Sequence, residues 1–370
     1  MIYLDHAATT PLRKEAFNVM LPYFAEHAAN ANALYAEGRK ARSAIDQARG
    51  QIADAIHAKS SEIYFTGGGS ESDNWALFGV MRALEGKNHI ITTQIEHHAI
   101  LNACAALESL GYDVTYVPVD QWGRVSPQDI EKAIRPETGL VSVMAANNEV
   151  GTIQPIAEIA RIAHAHGVLM HTDAVQAVGH IPIDVAALNV DLLSMAAHKF
   201  YGPKGIGALY IKNGVKITNL VYGGEQERGL RAGTENTPAI VGMGEALALA
   251  RFEMDGAAQR IVHLRDLLEN EIMQRMPEAI VNGDREKRLP GTLHVTFPGA
   301  DTNMLLMRLD MEGIAVSAGS ACAAGARERS HVLEAMHVPS GADVRFSLGT
   351  DNDETQIRQT VDTLYQILNG

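Results

Sequence analysis

Two stretches of the sequence decide the fold class: His171-Thr172-Asp173-Ala174-Val175-Gln176 and Ala197-His198-Lys199-Phe200-Tyr201-Gly202-Pro203-Lys204-Gly205. Each follows an apolar run that is typical of a buried strand, Val168-Leu169-Met170 before the first and Leu192-Leu193 before the second. Helical stretches such as Ile156 to His166 separate these runs from earlier ones, which are Ile63-Tyr64-Phe65, Ile90-Ile91, Val114-Thr115-Tyr116-Val117 and Leu140-Val141-Ser142-Val143. Strands that alternate with helices predict an α/β fold with a mostly parallel sheet and helical crossovers.

The pattern changes in the last third of the chain. The elements predicted there are a long helix from Thr237 toward Met276, strands near Leu293 to Phe297 and Val344 to Phe346, and a final helix from Asp353. They indicate a smaller α+β domain. Because no flexible linker separates the two parts, we place the boundary inside the long helix, near Arg251. The predicted large domain comprises residues 15–250, and the small domain comprises residues 1–14 and 251–370.

The composition excludes several classes of protein. The chain has 370 residues, of which 46% are hydrophobic and 20% are charged, as in an ordinary globular enzyme. Its formal net charge of −13 opposes nonspecific binding to nucleic acid or anionic lipid. Two cysteines cannot form a disulfide framework, which favours a reducing compartment. Since neither a signal peptide nor an apolar run of membrane-spanning length is apparent, we expect a cytoplasmic protein.

Lys199 and Asp173 are the residue types that a pyridoxal phosphate site needs. The aldehyde of that cofactor forms an imine with a lysine, and a carboxylate keeps its ring nitrogen protonated so that the ring accepts electrons. Gln176 follows Asp173 by three residues and is placed for a ring oxygen. Taken singly, a turn-capping aspartate and a solvated loop lysine are the ordinary interpretations. The tight turns predicted at Gly202-Pro203-Lys204-Gly205 argue against an exposed, charged surface around Lys199.

Two further segments are expected at the edge of the sheet where Asp173 and Lys199 follow their strands. Thr66-Gly67-Gly68-Gly69-Ser70-Glu71-Ser72 lies between a strand and a helix that begins near Ser70, where amides and the helix dipole can hold a phosphate, although many such turns bind nothing. Glu96-His97-His98-Ala99 follows the next strand, so the ring of His97 can stack on a cofactor or simply cap a helix. The adjacent His97 and His98 side chains diverge, so no metal site is predicted.

The two cysteines lie in different settings. Cys322 belongs to the run Ser317-Ala318-Gly319-Ser320-Ala321-Cys322-Ala323-Ala324-Gly325-Ala326, which has almost no bulky apolar anchor and predicts an exposed, mobile segment. A thiol there can reach a substrate and attack it as the thiolate, or it can be a silent loop cysteine. Cys104 lies in an apolar helical run and is predicted to be a small buried side chain.

Together these segments resemble the class V aminotransferase family, specifically the NifS/IscS group of cysteine desulfurases. The resemblance covers nearly the whole chain. Its other motifs are Tyr3-Leu4-Asp5-His6-Ala7-Ala8-Thr9-Thr10, Asn147-Asn148-Glu149-Val150-Gly151, Arg231-Ala232-Gly233-Thr234 and Arg345-Phe346-Ser347-Leu348-Gly349. It implies fold type I of the PLP-dependent transferases, with a mostly parallel seven-stranded sheet in the large domain, and it implies a homodimer.

The resemblance also implies which residues hold pyridoxal 5'-phosphate. Lys199 would form the imine, and His97 would stack on the ring. The remaining contacts would be Asp173 at the ring nitrogen, Gln176 at the phenolic oxygen, Gly69, Ser70 and His198 at the phosphate, and Thr234 reaching the phosphate from the partner subunit. The catalytic residues would be Lys199, His97 and Cys322.

The implied substrate is L-cysteine. Asn148 and Arg345 match positions that contact it, with Arg345 pairing bidentately with its carboxylate; Asn148 is preferred to Asn147 by its position in the motif. In the reaction that the resemblance implies, cysteine would displace Lys199, the released amine would take the α-proton, and Cys322 would attack the substrate sulfur. The products would be L-alanine and a persulfide on Cys322, whose sulfur passes to an acceptor such as an iron-sulfur scaffold or a tRNA-thiolation enzyme.

The sequence departs from the family pattern in two places. Ala196 stands where a serine usually bonds the phosphate, a loss of about 1.5 to 3 kcal/mol if nothing replaces it. Asn30-Ala31-Asn32-Ala33-Leu34-Tyr35 lacks the usual proline and histidine of its motif. Two other interpretations stay open: a selenocysteine lyase or another class V enzyme, and a sulfur-trafficking scaffold without turnover.

Overall fold

The computed structural model of the chain describes residues 1–319 and 329–369. The strands in these ranges are β1 (Ile2–Tyr3), β2 (Ile63–Thr66), β3 (His89–Thr93), β4 (Asp113–Val117), β5 (Thr138–Ser142), β6 (Leu169–Asp173), β7 (Leu192–Ala196), β8 (Gly207–Ile211), β9 (Ile280–Asn282), β10 (Thr292–Phe297), β11 (Ile314–Ala315) and β12 (Ala342–Ser347). The α-helices are α1 (Lys14–Met20), α2 (Pro22–Ala25), α3 (Ala36–Ala55), α4 (Gly69–Ala83), α5 (His98–Ser109), α6 (Pro127–Ala133), α7 (Ile156–Ala165), α8 (Val185–Leu188), α9 (Thr237–Arg275), α10 (Thr302–Met311), α11 (His331–Ala335) and α12 (Glu354–Asn369). Short 3₁₀ turns occur at Ser60–Glu62, Ala197–Lys199 and Glu227–Gly229.

The main sheet in the described ranges has seven strands, in the order β2-β8-β7-β6-β5-β3-β4. The pairs that join β7, β6, β5, β3 and β4 are parallel, whereas β8 is antiparallel to both of its neighbours. Every strand of this sheet except β8 therefore points the same way. Parallel neighbours need long crossovers, and the intervening helices supply them. The predicted α/β class and mostly parallel seven-stranded sheet are confirmed.

This topology collects the carboxyl ends of the parallel strands at one edge of the sheet, where ligands bind in open α/β folds. The sequence placed Asp173 just beyond a strand that ends at Met170, and this prediction was wrong. The strand continues to Asp173, whose partner in the ladder is Ser194 of β7. The apolar run in the sequence is shorter than the strand, because the last strand residues, Thr172 and Asp173, are buried although they are polar. Asp173 is thus fixed by the sheet itself.

Helices cover both faces of this sheet. On one face α3, α7 and the first part of α9 pack around residues such as Ile45, Ile159 and Leu193. On the other face α4 and α5 pack around residues such as Trp75 and Leu107. Successive strand residues alternate between these two cores, as the pleat of a strand requires. The helix α3 is amphipathic, and its buried stripe comprises Ala41, Ile45, Ala48 and Ile52.

A smaller sheet of three antiparallel strands, in the order β12-β10-β9, lies in the C-terminal part of the described chain. It packs with α10, α12 and the second part of α9 around a separate core that includes Leu268, Val295 and Leu364. Ile2 and Leu4 belong to this core, and β1 pairs in parallel with β11. None of the helices in the described ranges combines the length and the apolar character needed to cross a membrane.

Candidate functional site

The loops at the carboxyl edge of the main sheet enclose a cavity of about 220 Å³. The predicted site residues that line it are Gly69, Ser70, His97, Asn148, Asp173, Gln176, His198, Lys199 and Arg345. Thr234 is exposed and lines a neighbouring cavity beside Gly67 and Gly205. Cys322 lies outside the described residues. The fold thus brings together side chains that are spread over most of the sequence.

Lys199 ends the 3₁₀ turn that follows β7, and its amine lies inside the cavity. The Nζ atom donates to the carbonyl oxygen of Ala7 at 2.5 Å and to that of Ala8 at 2.8 Å. The Gln176 side-chain amide also donates to the Ala7 carbonyl, at 2.9 Å. The N-terminal segment therefore forms a wall of the cavity and holds the lysine.

Asp173 and His97 supply an acid and an imidazole to the same cavity. Burial raises the pKa of Asp173, and the charges of His97 and Lys199 oppose this rise. The backbone amide of Val175 donates to Asp173 Oδ1 at 2.9 Å. His97 caps α5, where the amide of Ala99 donates to its Nδ1 at 3.1 Å, so the neutral ring carries its proton on Nε2. Burial lowers the pKa of His97, which favours this neutral form.

The glycine-rich segment forms the start of α4. Gly68 has a φ of +152°, which side-chain-bearing residues rarely adopt, and a Cβ at Gly69 would lie only 2.7 Å from Val175 Cγ2. The first turn of α4, with Thr9 and His198, lines a second cavity of about 470 Å³ beside the first. Because a helix N-terminus carries free amides and a positive partial charge, this second cavity suits a phosphate.

Ala196 lines the first cavity with a methyl group, so it supplies no hydroxyl there. Ser70 and His198 border both cavities. Burial lowers the pKa of His198 to about 4, and its Nδ1 lies 3.2 Å from Thr9 Oγ1. A neutral His198 offers a single ring N–H to a ligand, and the hydroxyl of Ser70 offers another donor.

Arg345 is 2% exposed, and its guanidinium joins three segments of the chain. Nη1 donates to the carbonyl oxygens of Asn148 at 2.8 Å and Gly319 at 2.5 Å, and Nη2 donates to Asp5 Oδ1 at 2.8 Å. Its Nε is buried and has no hydrogen-bond partner among the described residues. A charged donor left without a partner beside a cavity fits a ligand carboxylate.

The two asparagines that compete for the substrate position differ in their contacts. The Asn147 side chain is used by the protein, since its Nδ2 donates to Ile95 O at 3.0 Å and its Oδ1 accepts the amides of Glu149 and Val150. Asn148 lines the cavity. The structure therefore supports Asn148 as the residue that faces a ligand.

Four more residues with titratable side chains line the cavity without having been predicted as site residues: Asp73, His98, Glu149 and His331. Asp73 follows Gly69 by about one helical turn, so helical periodicity was a usable signal. Burial raises the pKa of Glu149, and Ser330 Oγ donates to its Oε2 at 2.5 Å. The rings of His98 and His331 are 4.9 Å apart, a contact that only the folded chain reveals.

The remaining predictions concern Cys104 and metals. Cys104 is fully buried, as predicted, and burial raises its pKa to about 12, which disfavours a reactive thiolate. Within residues 1–319 and 329–369, no group of three or more His, Cys, Asp and Glu side chains is arranged to hold a metal ion.

The chain is similar to known proteins over almost its full length. The sequence model of the family described as "Aminotransferase class-V" matches residues 2–360. The protein named "Cysteine desulfurase IscS" from Dictyoglomus turgidum is 49% identical over 371 residues, which cover 99% of this chain and 94% of that protein. A solved structure titled "NIFS-LIKE PROTEIN" has a TM-score of 0.94 and 39% identity, with 99% of both chains covered. Another, titled "SspA in complex with cysteine", has a TM-score of 0.84 and 39% identity and covers 95% of this chain and 99% of that one.

Proposed function

The chain belongs to the class V aminotransferase family, and from that premise we propose how its cavity serves as the active site of a cysteine desulfurase. The protein is an enzyme that converts L-cysteine to L-alanine and transfers the sulfur. The observation that carries the proposed site is the placement of the Lys199 amine, the Asp173 carboxyl and the orphaned Arg345 donor in one cavity.

The cavity residues fit pyridoxal phosphate. This cofactor, when bound, supplies an aldehyde that bonds an amine and a ring that stores an electron pair. Asp173 would hold the ring nitrogen in its protonated form, and Gln176 and His97 would contact the ring. Gly69 and Ser70 at the start of α4, together with the neighbouring His198, would bind the phosphate, and their donors would offset the hydroxyl that Ala196 lacks.

The chain's own groups then divide the work of the reaction. Arg345 binds the carboxylate of L-cysteine and, with Asn148, orients the substrate. The Lys199 amine, released from the Ala7 and Ala8 carbonyls, accepts the α-proton. The neutral imidazole of His97 is available to exchange a proton at the cavity. Cys322 attacks the substrate sulfur as the thiolate, the Cβ–S bond of the substrate breaks, and the sulfur stays on Cys322 as a persulfide. The electron pair of the broken bond stays on the three-carbon unit, which is protonated to alanine.

We extend the proposal to the assembly of the protein. The active unit is a homodimer in which Thr234 of one subunit contacts the phosphate bound by the other. This fits the exposure of Thr234 outside the cavity of its own chain. The persulfide passes its sulfur to an acceptor protein, such as an iron-sulfur scaffold or a tRNA-thiolation enzyme. Thiol chemistry of this kind suits a reducing, cytoplasmic compartment.

The division into domains is proposed from the two cores. Ala250 packs in the core on the main sheet, whereas Ile261 packs in the C-terminal core. A boundary at residues 250 and 251, inside α9, separates them. Residues 1–14 are grouped with 251–370 because Ile2 and Leu4 lie in the C-terminal core.

Purified protein loaded with pyridoxal phosphate is expected to release alanine and sulfide in equal amounts from L-cysteine when a thiol reductant is present. The measurement is amino-acid analysis together with a sulfide assay. L-Serine, which lacks the sulfur, is the matched control and should give neither product. Parallel assays with L-selenocysteine distinguish a selenocysteine lyase, which would prefer selenium. Amino-group transfer to a keto acid without sulfide release would contradict the proposal.

Replacement of Arg345 by lysine is expected to raise the KM for L-cysteine about 10- to 100-fold, because a bidentate, charge-assisted contact worth about 1.5 to 3 kcal/mol is lost. The steady-state kinetics of the variant check this. Cysteamine, which has the thiol and the amine but no carboxylate, is the matched ligand, and its weak binding should not change. An equal loss for both ligands would indicate that Arg345 only supports the fold through Asp5, Asn148 and Gly319.

A further inference from the structure

Asp73 is a buried carboxyl beside the cavity, and the roles proposed above leave it unused. It is 1% exposed, lies on α4 and borders the same cavity as Asp173. Its Oδ1 is buried without a hydrogen-bond partner in the described part of the chain. A buried acceptor of this kind is costly unless a ligand or a proton satisfies it.

The groups of the main sheet that lie next to Asp73 are uncharged. His171 lies in the middle of the sheet, where its Nδ1 is 2.8 Å from Ser142 Oγ and its Nε2 is 3.0 Å from Ser194 Oγ. Both ring nitrogens are therefore used by serines, and Asp73 Oδ1 is 3.8 Å from His171 Nε2, too far for a hydrogen bond. Burial lowers the pKa of His171 to about 3, so this ring supplies no positive charge.

Two nearby acids act on the ionisation of Asp73. Burial and the negative charges of Asp173 and Glu96 raise the pKa of Asp73 well above its usual range, opposed by a hydrogen bond from Ser194. Glu96 is different because its oxygens accept Thr93 Oγ1 at 2.7 Å and the Met144 amide at 3.1 Å. Glu96 is thus satisfied within the protein, whereas Asp73 and Asp173 together present two acids at one end of the cavity.

We propose that Asp73 is a positioning residue of the cofactor site, which acts with Asp173 to favour a ring that carries a protonated nitrogen over an uncharged ring. This inference rests on the proposed function, because the ring is that of the cofactor. In the cofactor-free protein the raised pKa of Asp73 favours its protonated form. A positively charged ring nitrogen in the cavity would favour the ionised form, so that Asp73 would then add a second negative charge beside that of Asp173. The hydrogen bond from Ser194, which also contacts His171, holds the carboxyl in place.

The test compares two ligands on the cofactor-free protein: pyridoxal phosphate and its analogue with carbon in place of the ring nitrogen. Asp73→Asn keeps the size of the side chain but removes the charge. We expect it to weaken pyridoxal phosphate about tenfold, the equivalent of one pKa unit, and to leave the analogue nearly unchanged. Equilibrium titration followed by fluorescence gives both dissociation constants. Asp73→Ser, which is also uncharged, is the second variant. It too should weaken the binding of pyridoxal phosphate more than the binding of the analogue.

Thermal unfolding of the cofactor-free protein gives an independent readout. A carboxyl whose pKa is raised by folding destabilises the folded state as pH rises above the usual aspartate pKa, because the unfolded chain then releases its proton more readily. The melting temperature of the wild type should therefore fall more between pH 5 and pH 8 than that of Asp73→Asn. Glu96→Gln is the reference variant for this readout: burial raises the pKa of Glu96 to about 8, so its replacement should also flatten the pH dependence of the melting temperature.

The ratio of the dissociation constants for pyridoxal phosphate and for the carbon analogue distinguishes Asp73 from Glu96, since Glu96→Gln should leave this ratio unchanged. An unchanged ratio in both Asp73 variants, or equal weakening of both ligands, would overturn the inference and leave Asp73 a structural residue. Failure of the wild type to bind pyridoxal phosphate at all would instead overturn the proposed function, and this inference with it.

Discussion

Lys199→Ala is expected to abolish the release of alanine from L-cysteine. Loss of the proton-transfer role alone lowers kcat about 10²- to 10⁴-fold, and loss of the covalent bond to the cofactor adds to this. The residues at the start of α4 that we propose to bind the phosphate are unchanged in the variant, so it should still bind pyridoxal phosphate, but without the absorbance band of the lysine–cofactor bond. Turnover assays and absorbance spectra of the same preparation measure both effects.

The matched control for this experiment is Lys132→Ala. Lys132 lies on α6, where its amine pairs with Asp129 at 2.7 Å and its side chain is 75% exposed. An exposed pair of this kind contributes about 0 to 1 kcal/mol, so activity and spectrum should match those of the wild type. Equal turnover in the two variants would remove Lys199 from the mechanism.

Cys322→Ser is expected to give a protein that is yellow with bound cofactor and yet releases no sulfide from L-cysteine. A serine hydroxyl has nearly the size of the thiol, but at neutral pH it does not supply the nucleophile that accepts sulfur. The loss of turnover should exceed about 10²-fold, because Cys104, the other cysteine of the sequence, is buried and its raised pKa disfavours a thiolate. Persulfide trapping with an alkylating reagent, followed by mass spectrometry, should label the wild type and not the variant.

Cys104→Ala is the control for nonspecific loss of a thiol. Cys104 is buried in the core between α4 and α5, away from the cavity residues, and its raised pKa keeps it protonated. The variant should keep wild-type turnover and persulfide labelling, with only a modest loss of stability from the small cavity it creates. Unchanged sulfide release by Cys322→Ser would show that the persulfide is not formed there.

Much of the site was predictable because its residues follow strands that can be recognised by apolar runs. Lys199 and Asp173 were found in this way, and the glycine-rich segment was found as a strand-to-helix turn. The strand β8 was missed, since Gly207–Ile211 directly follows the glycine-rich turn after Lys199 and no local pattern encodes its reversed direction. Sequence periodicity defines the faces of an element but not the neighbour with which it pairs.

Contacts between distant parts of the chain were the least predictable. Nothing local indicates that the carbonyl of Ala7 would meet Lys199 Nζ, a separation of 192 residues. Asp73 was overlooked for a different reason: a carboxylate on a helix is usually solvated, and its burial depends on His171 and Ser194 from the sheet beneath it. The sequence shows which chemical group each side chain carries, but the burial of that group and its neighbours are determined by the folded chain.

The wall formed by the N-terminal segment has a consequence for biosynthesis. The amide of Ala7 donates to Ser347 Oγ at 2.9 Å, and the amide of Leu4 donates to the carbonyl of Ala315 at 2.9 Å. The N-terminal segment is therefore fixed partly by residues that lie more than 300 positions further along the sequence. During synthesis the wall can form only after β11 and β12 have been made. We therefore expect tight binding of the proposed cofactor to require these two strands, so that a nascent chain that ends before them should bind it weakly.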